Sequence, residues 1–147
     1  MGEEPPFENR PSKFGEVHYT PAAQEDLPAH IQTVFGKLLV PEMAHMDDAQ
    51  IMVKAFGASG GLVVIWGYAA IYGAYSAYGF ETDLPGYLPV GSDGGGKLLT
   101  VHADGLFSLE AGDLDPVERV FLASSLKQFL KTGKNLMLFF GSLFGIM

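Results

Sequence analysis

Two glycine-rich motifs are the first candidates for chemistry in this sequence. Residues 91–98 read G-S-D-G-G-G-K-L and match a phosphate-binding P-loop at every position but the last. Leu98 stands where a P-loop carries the Ser or Thr that holds Mg²⁺, and Asp93 would place a carboxylate beside the phosphates. The following residues alternate as in a strand, whereas a P-loop opens a helix. We therefore expect no nucleotide site here.

The second motif, G-A-S-G-G at residues 57–61, has the form of a G-x-S-x-G nucleophile elbow. Ser59 would be the nucleophile, His102 the base, and Asp83 or Asp93 the acid. That elbow runs from a strand into a helix, whereas here a predicted helix leads into a predicted strand. We favour a loop that ends a helix, and we expect no catalytic residue.

Metal and thiol chemistry have weaker support. The sequence contains no cysteine, which excludes disulfides, thiolate metal sites and a cysteine nucleophile. Its four histidines show no metal-ligand spacing; they are His18, His30, His45 and His102. We expect neither a metal nor a cofactor.

Composition limits the class of partner. The chain has 147 residues, of which 48% are hydrophobic and 18% charged, and its formal net charge is −8. Such a chain is too apolar to be disordered and too acidic to favour nucleic acid, whose binding depends on Lys and Arg. The first six residues lack an apolar signal core, so we expect an intracellular, cytoplasmic protein.

Two apolar segments raise the question of a membrane. Residues 55–80 carry no charge, but six glycines and four tyrosines interrupt them, which favours a buried strand followed by a helix. The tail at residues 136–147 is nearly all apolar but too short to span a bilayer as a helix. We expect it to pack on its own domain; a homodimer contact or an interfacial anchor are the alternatives. We expect no stable membrane insertion.

The elements that must position these residues follow from local patterns. Residues 1–16 are predicted to be a flexible arm, residues 17–134 one α+β domain and residues 135–147 the apolar tail. Thr20 and Pro21 indicate the start of a helix that ends at Pro41, with Leu27, Ile31, Val34, Phe35 and Leu38 on one face. A second helix is predicted from about residue 47 or 48 to 56, a strand at 62–66 and a helix at 68–78.

The second half of the chain reads as strands closed by a helix. A turn at 83–86 leads to a short strand at 87–90, a glycine loop at 91–96, and strands at 97–103 and 106–109 joined through Asp104-Gly105. Asp113 is typical of a turn. Asp115 and Pro116 indicate the capped start of a helix through Lys131. Its predicted buried face comprises Val117, Val120, Phe121, Leu126, Phe129 and Leu130.

Acidic residues are concentrated between positions 81 and 118. Lys97 is the only Lys or Arg in this stretch. Residues 81–118 therefore carry seven net negative charges, almost the whole net charge of the chain. The acids of this stretch are Glu81, Asp83, Asp93, Asp104, Glu110, Asp113, Asp115 and Glu118. A solvated surface that keeps the protein soluble is one interpretation; a surface that attracts a basic protein is the other.

Residues 83–96, D-L-P-G-Y-L-P-V-G-S-D-G-G-G, resemble the signature of the SUKH superfamily, the Smi/Knr-like proteins. Residues 60–66 look like the strand after that family's glycine loop, residues 68–78 like the helix before its P-G-Y-L element, and residues 124–130 like its closing helix. The resemblance covers roughly residues 47–131. It implies an α+β domain with a twisted, mostly antiparallel sheet packed by helices, and no catalytic activity.

Many bacterial members of this superfamily look like immunity proteins that bind a secreted toxin, often a nuclease, whereas fungal relatives regulate cell-wall synthesis. We therefore expect a non-enzymatic protein that binds a basic toxin through an acidic face; a regulatory or scaffold protein whose tail docks a partner or a membrane is the alternative. The expected contact residues are Glu81, Asp83, Tyr87, Asp93, Asp104, Glu110 and Asp113. A structural role is expected for Gly91, Ser92, Gly94, Gly95 and Gly96.

Overall fold

The computed structural model describes residues 10–12, 15–53, 61–93 and 96–132. Eight strands in these residues form one sheet in which every strand is antiparallel to the next and the spatial order follows the chain. They are β1 Arg10–Ser12, β2 Gly15–Pro21, β3 Met46–Val53, β4 Gly61–Trp66, β5 Leu88–Ser92, β6 Lys97–His102, β7 Gly105–Glu110 and β8 Val120–Ala123. The fold is a single α+β domain, as the sequence predicts.

Helices connect some of these strands. The α-helices of the described residues are α1 Ala29–Phe35, α2 Tyr68–Ala77, α3 Phe80–Asp83 and α4 Leu126–Thr132, and there are short 3₁₀ helices at Gly36–Leu38, Pro41–His45 and Pro116–Glu118. Strands β4 and β5 share only two residue pairs, and the α2–α3 connection lies between them in the chain. No helix of the described residues is long and apolar enough to cross a membrane.

Apolar side chains pack on both faces of the β6–β7 hairpin. Because successive side chains of a strand point to opposite faces, Leu99 and Val101 join a large main core with α1, α2 and α4. Leu98 and Phe107 instead join a smaller group under α3, which we call the second cluster. Its buried members are Phe80, Leu84, Tyr87, Leu98, Phe107 and Leu109.

Several predicted elements are confirmed. The strand at 62–66, the helix at 68–78 and the short strand after the turn correspond to β4, α2 and β5. The Asp-Gly signal correctly predicts the β6–β7 hairpin, in which His102 pairs with Gly105. These segments have local signals that agree with their tertiary environment.

Two predictions in the first half are wrong. Residues 46–53 form β3 instead of a helix, because they pair with β2 on one side and β4 on the other. Thr20 and Pro21 end β2, and the helix begins only at Ala29, after Pro28. Leu27, Ile31 and Phe35 are buried as predicted, but Val34 is exposed. Within the predicted arm of residues 1–16, residues 10–12 and 15–16 belong to strands β1 and β2 of the sheet; residues 1–9 lie outside the described residues.

The predicted long helix from residue 116 is wrong as well. Asp115 does cap the start, accepting a hydrogen bond from the Val117 amide at 3.0 Å, but only one 3₁₀ turn follows. The next residues form edge strand β8 beside β7, which leaves Val117 and Phe121 exposed. Helix α4 then begins at Leu126, and the Ser125 hydroxyl caps it by accepting a hydrogen bond from the Gln128 amide at 3.0 Å.

Candidate functional site

The P-loop-like motif lies in a β-hairpin. In the described residues on either side of the loop, β5 precedes it and β6 follows it, whereas a P-loop continues into a helix whose N-terminus faces the phosphate. The Lys97 ammonium is bound by Glu110, with 2.6 Å between Nζ and Oε1, and Asp93 Oδ1 accepts from the Lys97 amide at 3.2 Å. The lysine therefore has a structural partner within the hairpin.

Gly91 lies where β5 approaches β4 closely. A Cβ placed on Gly91 would lie 2.2 Å from the carbonyl oxygen of Val64 on β4, so any larger residue would separate the two strands. Ser92 pairs with Val64 in the same ladder. Gly94 and Gly95 lie outside the described residues, and Gly96 is exposed beside Glu110.

His102, the base of the hydrolase triad considered above, contacts Asp104 and not Asp93. Its ring contacts Asp104, with 3.5 Å between Nδ1 and Oδ2, and Nδ1 accepts from the Asp104 amide at 3.0 Å. Asp93 lies at the other end of the hairpin, where it contacts the Lys97 amide. Ser59 lies outside the described residues. His102 therefore stabilises the β6–β7 turn in this arrangement.

The expected contact residues lie around the second cluster. α3 covers this cluster and carries Glu81 and Asp83, both exposed. Asp104 is exposed at the β6–β7 turn, and Glu110 and Asp113 are exposed near the opposite end of β7. We name these five exposed acids the acidic surface: Glu81, Asp83, Asp104, Glu110 and Asp113.

The acidic surface is extended. Asp104 and Glu110 are six residues apart along the hairpin, which corresponds to about 20 Å at 3.3 Å per residue. At physiological salt, charges on exposed side chains are largely screened beyond about 8 Å. At physiological salt the end around Asp104 and the end around Glu110 therefore act as two separate negative patches. At low salt, screening is weaker and both ends attract the same cationic partner.

One end of this surface is organised around Arg119. The guanidinium lies 4.1 Å from the centre of the Phe107 ring, donates a hydrogen bond to the Tyr87 hydroxyl and lies 3.9 Å from the Asp104 carboxylate. His102 stacks on Tyr87 with 4.5 Å between ring centres. Arg119 thus joins the sheet to the turn that carries Asp104.

Tyr87 and Asp93 differ from the other expected contact residues. Tyr87 is only 5% exposed, so it supports the surface from beneath and does not offer a contact. Asp93 is half-buried and its carboxylate caps the start of β6. Both residues have structural roles in this arrangement.

Asp113 and Glu81 complete the acidic surface. Asp113 forms an isolated bridge with Glu110 that holds the chain end of β7. Glu81 lies 3.6 Å from the His30 imidazole, measured from Oε1 to Nε2, so a side chain of α1 faces it. Asp83, Asp104 and Asp113 remain accessible to a partner.

No protein-family model matches this chain, and no curated protein matches it. Within the described residues, no three His, Asp or Glu side chains come together in a group that could hold a metal ion.

Arg119 and Phe107 are the residues that the sequence analysis missed. The sequence predicts a helix around Arg119, and a helical position gives no indication of the contact with the distant Tyr87. The only available signal was that it is the first Lys or Arg after a stretch of eight acids and one lysine. Coulombic attraction favours contact between an isolated cation and a nearby carboxylate.

Proposed function

We propose that this protein is a non-enzymatic binding module that engages a basic protein through the acidic surface. The resemblance to the SUKH superfamily suggests the class of partner, a secreted toxin such as a nuclease that the module neutralises. A nuclease must present cations to its phosphate-rich substrate, so an acidic surface can occupy the same site.

The observation that supports the proposal most strongly is the burial of Lys97, the only lysine between residues 55 and 118. The Lys97 side chain is 6% exposed and is bound to Glu110. The five acids of the acidic surface are exposed. Lys97 offsets Glu110, and Arg119 lies 3.9 Å from Asp104. The five acids still outnumber these two cations, so a net negative potential extends into solvent and accelerates encounter with a cationic partner.

The dimensions of the surface fit one partner. A standard interface buries about 800 Å² on each side, equivalent to a patch roughly 30 Å across. The separation of about 20 Å between Asp104 and Glu110 lies within such a patch. Since the second cluster supports the surface from beneath, the acids are carried on packed elements.

The test is a capture experiment with three versions of the tagged full chain in lysate of the native host. The first is wild type, the second carries Asp83→Lys and Asp113→Lys, and the matched control carries Glu25→Lys and Asp47→Lys. The control residues are also exposed acids, but they lie outside the acidic surface. Bound proteins are identified by mass spectrometry at low and moderate salt.

We expect wild type and control to capture a basic protein that is released as salt rises, and the acidic-surface variant to lose it. Capture of the same protein by all three versions would contradict the proposal. Capture of envelope or regulatory proteins, independent of the acids, would favour the scaffold alternative.

A further inference from the structure

The segment at residues 79–86, which includes α3, begins and ends with a glycine in a left-handed backbone conformation. Gly79 has a φ of +68° and Gly86 has a φ of +88°. Side chains other than glycine rarely tolerate these angles, so the two glycines allow the chain to turn sharply at both ends of α3. A few terminal residues of this kind can absorb the large backbone rotations of a hinge. We call residues 79–86 the strap.

The backbone hydrogen bonds of the strap close locally. The Asp83 amide donates to the Gly79 carbonyl oxygen at 2.9 Å. The Leu84 amide donates to the Phe80 carbonyl oxygen at 2.9 Å, and the Tyr87 amide donates to that of Leu84 at 3.1 Å. Within the described residues, no backbone hydrogen bond joins the strap to a strand of the sheet. The strap can therefore move without breaking the pairing of any strand.

Two buried side chains hold the strap against the sheet. Phe80 and Leu84 are fully buried, and both belong to the second cluster. Glu81 adds a contact with His30 of α1, at 3.6 Å between Oε1 and Nε2, and both of these side chains are exposed. Because contacts between exposed charged side chains contribute little to stability, apolar burial supplies most of the attachment of the strap.

The second cluster is much smaller than the main core. It has six buried members, two of which the strap supplies, whereas the main core has 22. Segments with few buried apolar contacts and no backbone bonds to the rest of the fold open at a lower free energy than the whole domain. The strap has both properties, so its opening requires less free energy than unfolding of the sheet.

We propose that the strap opens from the second cluster as a unit, turning at Gly79 and Gly86, while the sheet and the main core stay folded. Glu81 and Asp83 move with it, and the cluster residues of the sheet become accessible beside the acidic surface. An apolar centre with a polar rim is the usual composition of a protein interface. Use of this open state by a basic partner rests on the proposed function, whereas opening is a property of the chain alone.

Thiol labelling measures this opening in the full chain, which has no native cysteine. Leu84→Cys reports on the strap. Leu88→Cys is the matched control, because Leu88 lies just beyond Gly86 and is fully buried in the main core. A buried cysteine reacts with a maleimide only after local opening or global unfolding. Labelling is followed by mass spectrometry between 0 and 1 M urea, at a maleimide concentration low enough for closing to be faster than labelling.

The urea dependence separates the two routes of labelling. Global unfolding exposes the whole core, and a slope of about 2 kcal/mol per molar accelerates labelling about 30-fold between 0 and 1 M urea. We expect this rise at position 88. Opening of the strap exposes little surface, so labelling at position 84 should rise less than about threefold over the same range. A rise of about 30-fold at position 84 would overturn the proposal, because the strap would then open only with the whole domain.

A second pair of variants tests the same event from the sheet, and it decides the matter if Leu84→Cys or Leu88→Cys does not fold. Leu98 belongs to the second cluster and Leu99 to the main core, on opposite faces of β6. We expect labelling of Leu98→Cys to rise less than about threefold by 1 M urea and that of Leu99→Cys to rise about 30-fold. Equal urea dependence at the two positions would overturn the proposal and would leave the capture of a basic protein by the acidic surface untouched.

Discussion

Removing Glu110 should destabilise the protein through the lysine that it leaves behind. The Lys97 side chain is 6% exposed and its Nζ lies 2.6 Å from Glu110 Oε1. Truncating one partner of a fully buried ion pair costs about 3–5 kcal/mol, and an unsatisfied buried group costs about 1–3 kcal/mol. Glu110 is itself 56% exposed, so water can approach after its removal. We expect Glu110→Ala to cost about 2 kcal/mol.

Substituting the lysine should cost less than substituting its partner. Lys97→Met removes the cation and keeps much of the buried volume. The Glu110 carboxylate that loses its partner is 56% exposed and stays hydrated, so no buried charge is left unpaired and the cost should stay below about 1 kcal/mol. The double variant Lys97→Met/Glu110→Ala should then be more stable than Glu110→Ala alone. This order of stabilities follows from a buried cation, because an exposed pair would make both single substitutions nearly neutral.

Urea unfolding at equilibrium measures these differences. With a slope of about 2 kcal/mol per molar, Glu110→Ala should lower the midpoint by about 1 M. Glu118→Ala, a change at another exposed acid, is the control and should remain within about 0.5 kcal/mol of wild type. A Glu110→Ala midpoint equal to wild type, or a Lys97→Met variant less stable than Glu110→Ala, would refute the reasoning.

Three further predictions concern single positions, all measured by urea unfolding. Gly105 has a φ of +143° and a Cβ there would lie 2.6 Å from a β8 carbonyl oxygen, so Gly105→Ala should cost at least about 2 kcal/mol. Gly112→Ala, where a Cβ meets nothing within 4 Å, should change stability by less than about 0.5 kcal/mol; equal effects would disprove the steric argument. Arg119→Met removes the contact over Phe107 and should cost about 1–2 kcal/mol, and a neutral result would contradict the assigned cation–π interaction. Burial raises the pKa of Tyr68, and a nearby carboxylate adds a smaller contribution. The contribution of neutral Tyr68 to the free energy of unfolding is therefore complete below about pH 10 and is lost as pH rises through the folded-state pKa. Tyr68→Phe should therefore weaken the loss of stability above pH 10, and an unchanged alkaline profile would be evidence against this.

Local signals predicted the second half of the sheet because they agree with its environment. The Asp-Gly pair sets a hairpin turn regardless of distant contacts, and its strands have apolar residues on both faces. The sequence failed where pairing decided the structure. Residues 46–53 can follow a helical or a strand pattern, and only β2 and β4 on either side select the strand.

The candidate site could be predicted in composition but not in arrangement. The concentration of acids around Lys97 is visible in the sequence, whereas the burial of that lysine and of Tyr87 depends on packing. The local pattern predicts a helix at Arg119 and gives no indication of its contacts with Phe107 and Tyr87, which lie 12 and 32 positions away in the chain. Long-range contacts of this kind leave no local pattern to detect.

The most direct test of the central claim is the rate at which the captured basic protein associates with the full chain as salt is varied. The account predicts fast association that slows as salt rises, and a rate about tenfold lower with a flatter salt dependence for Asp83→Lys/Asp113→Lys. The Glu25→Lys/Asp47→Lys control should remain close to wild type. Equal rates and equal salt slopes for all three proteins would contradict the claim that the acidic surface binds the partner.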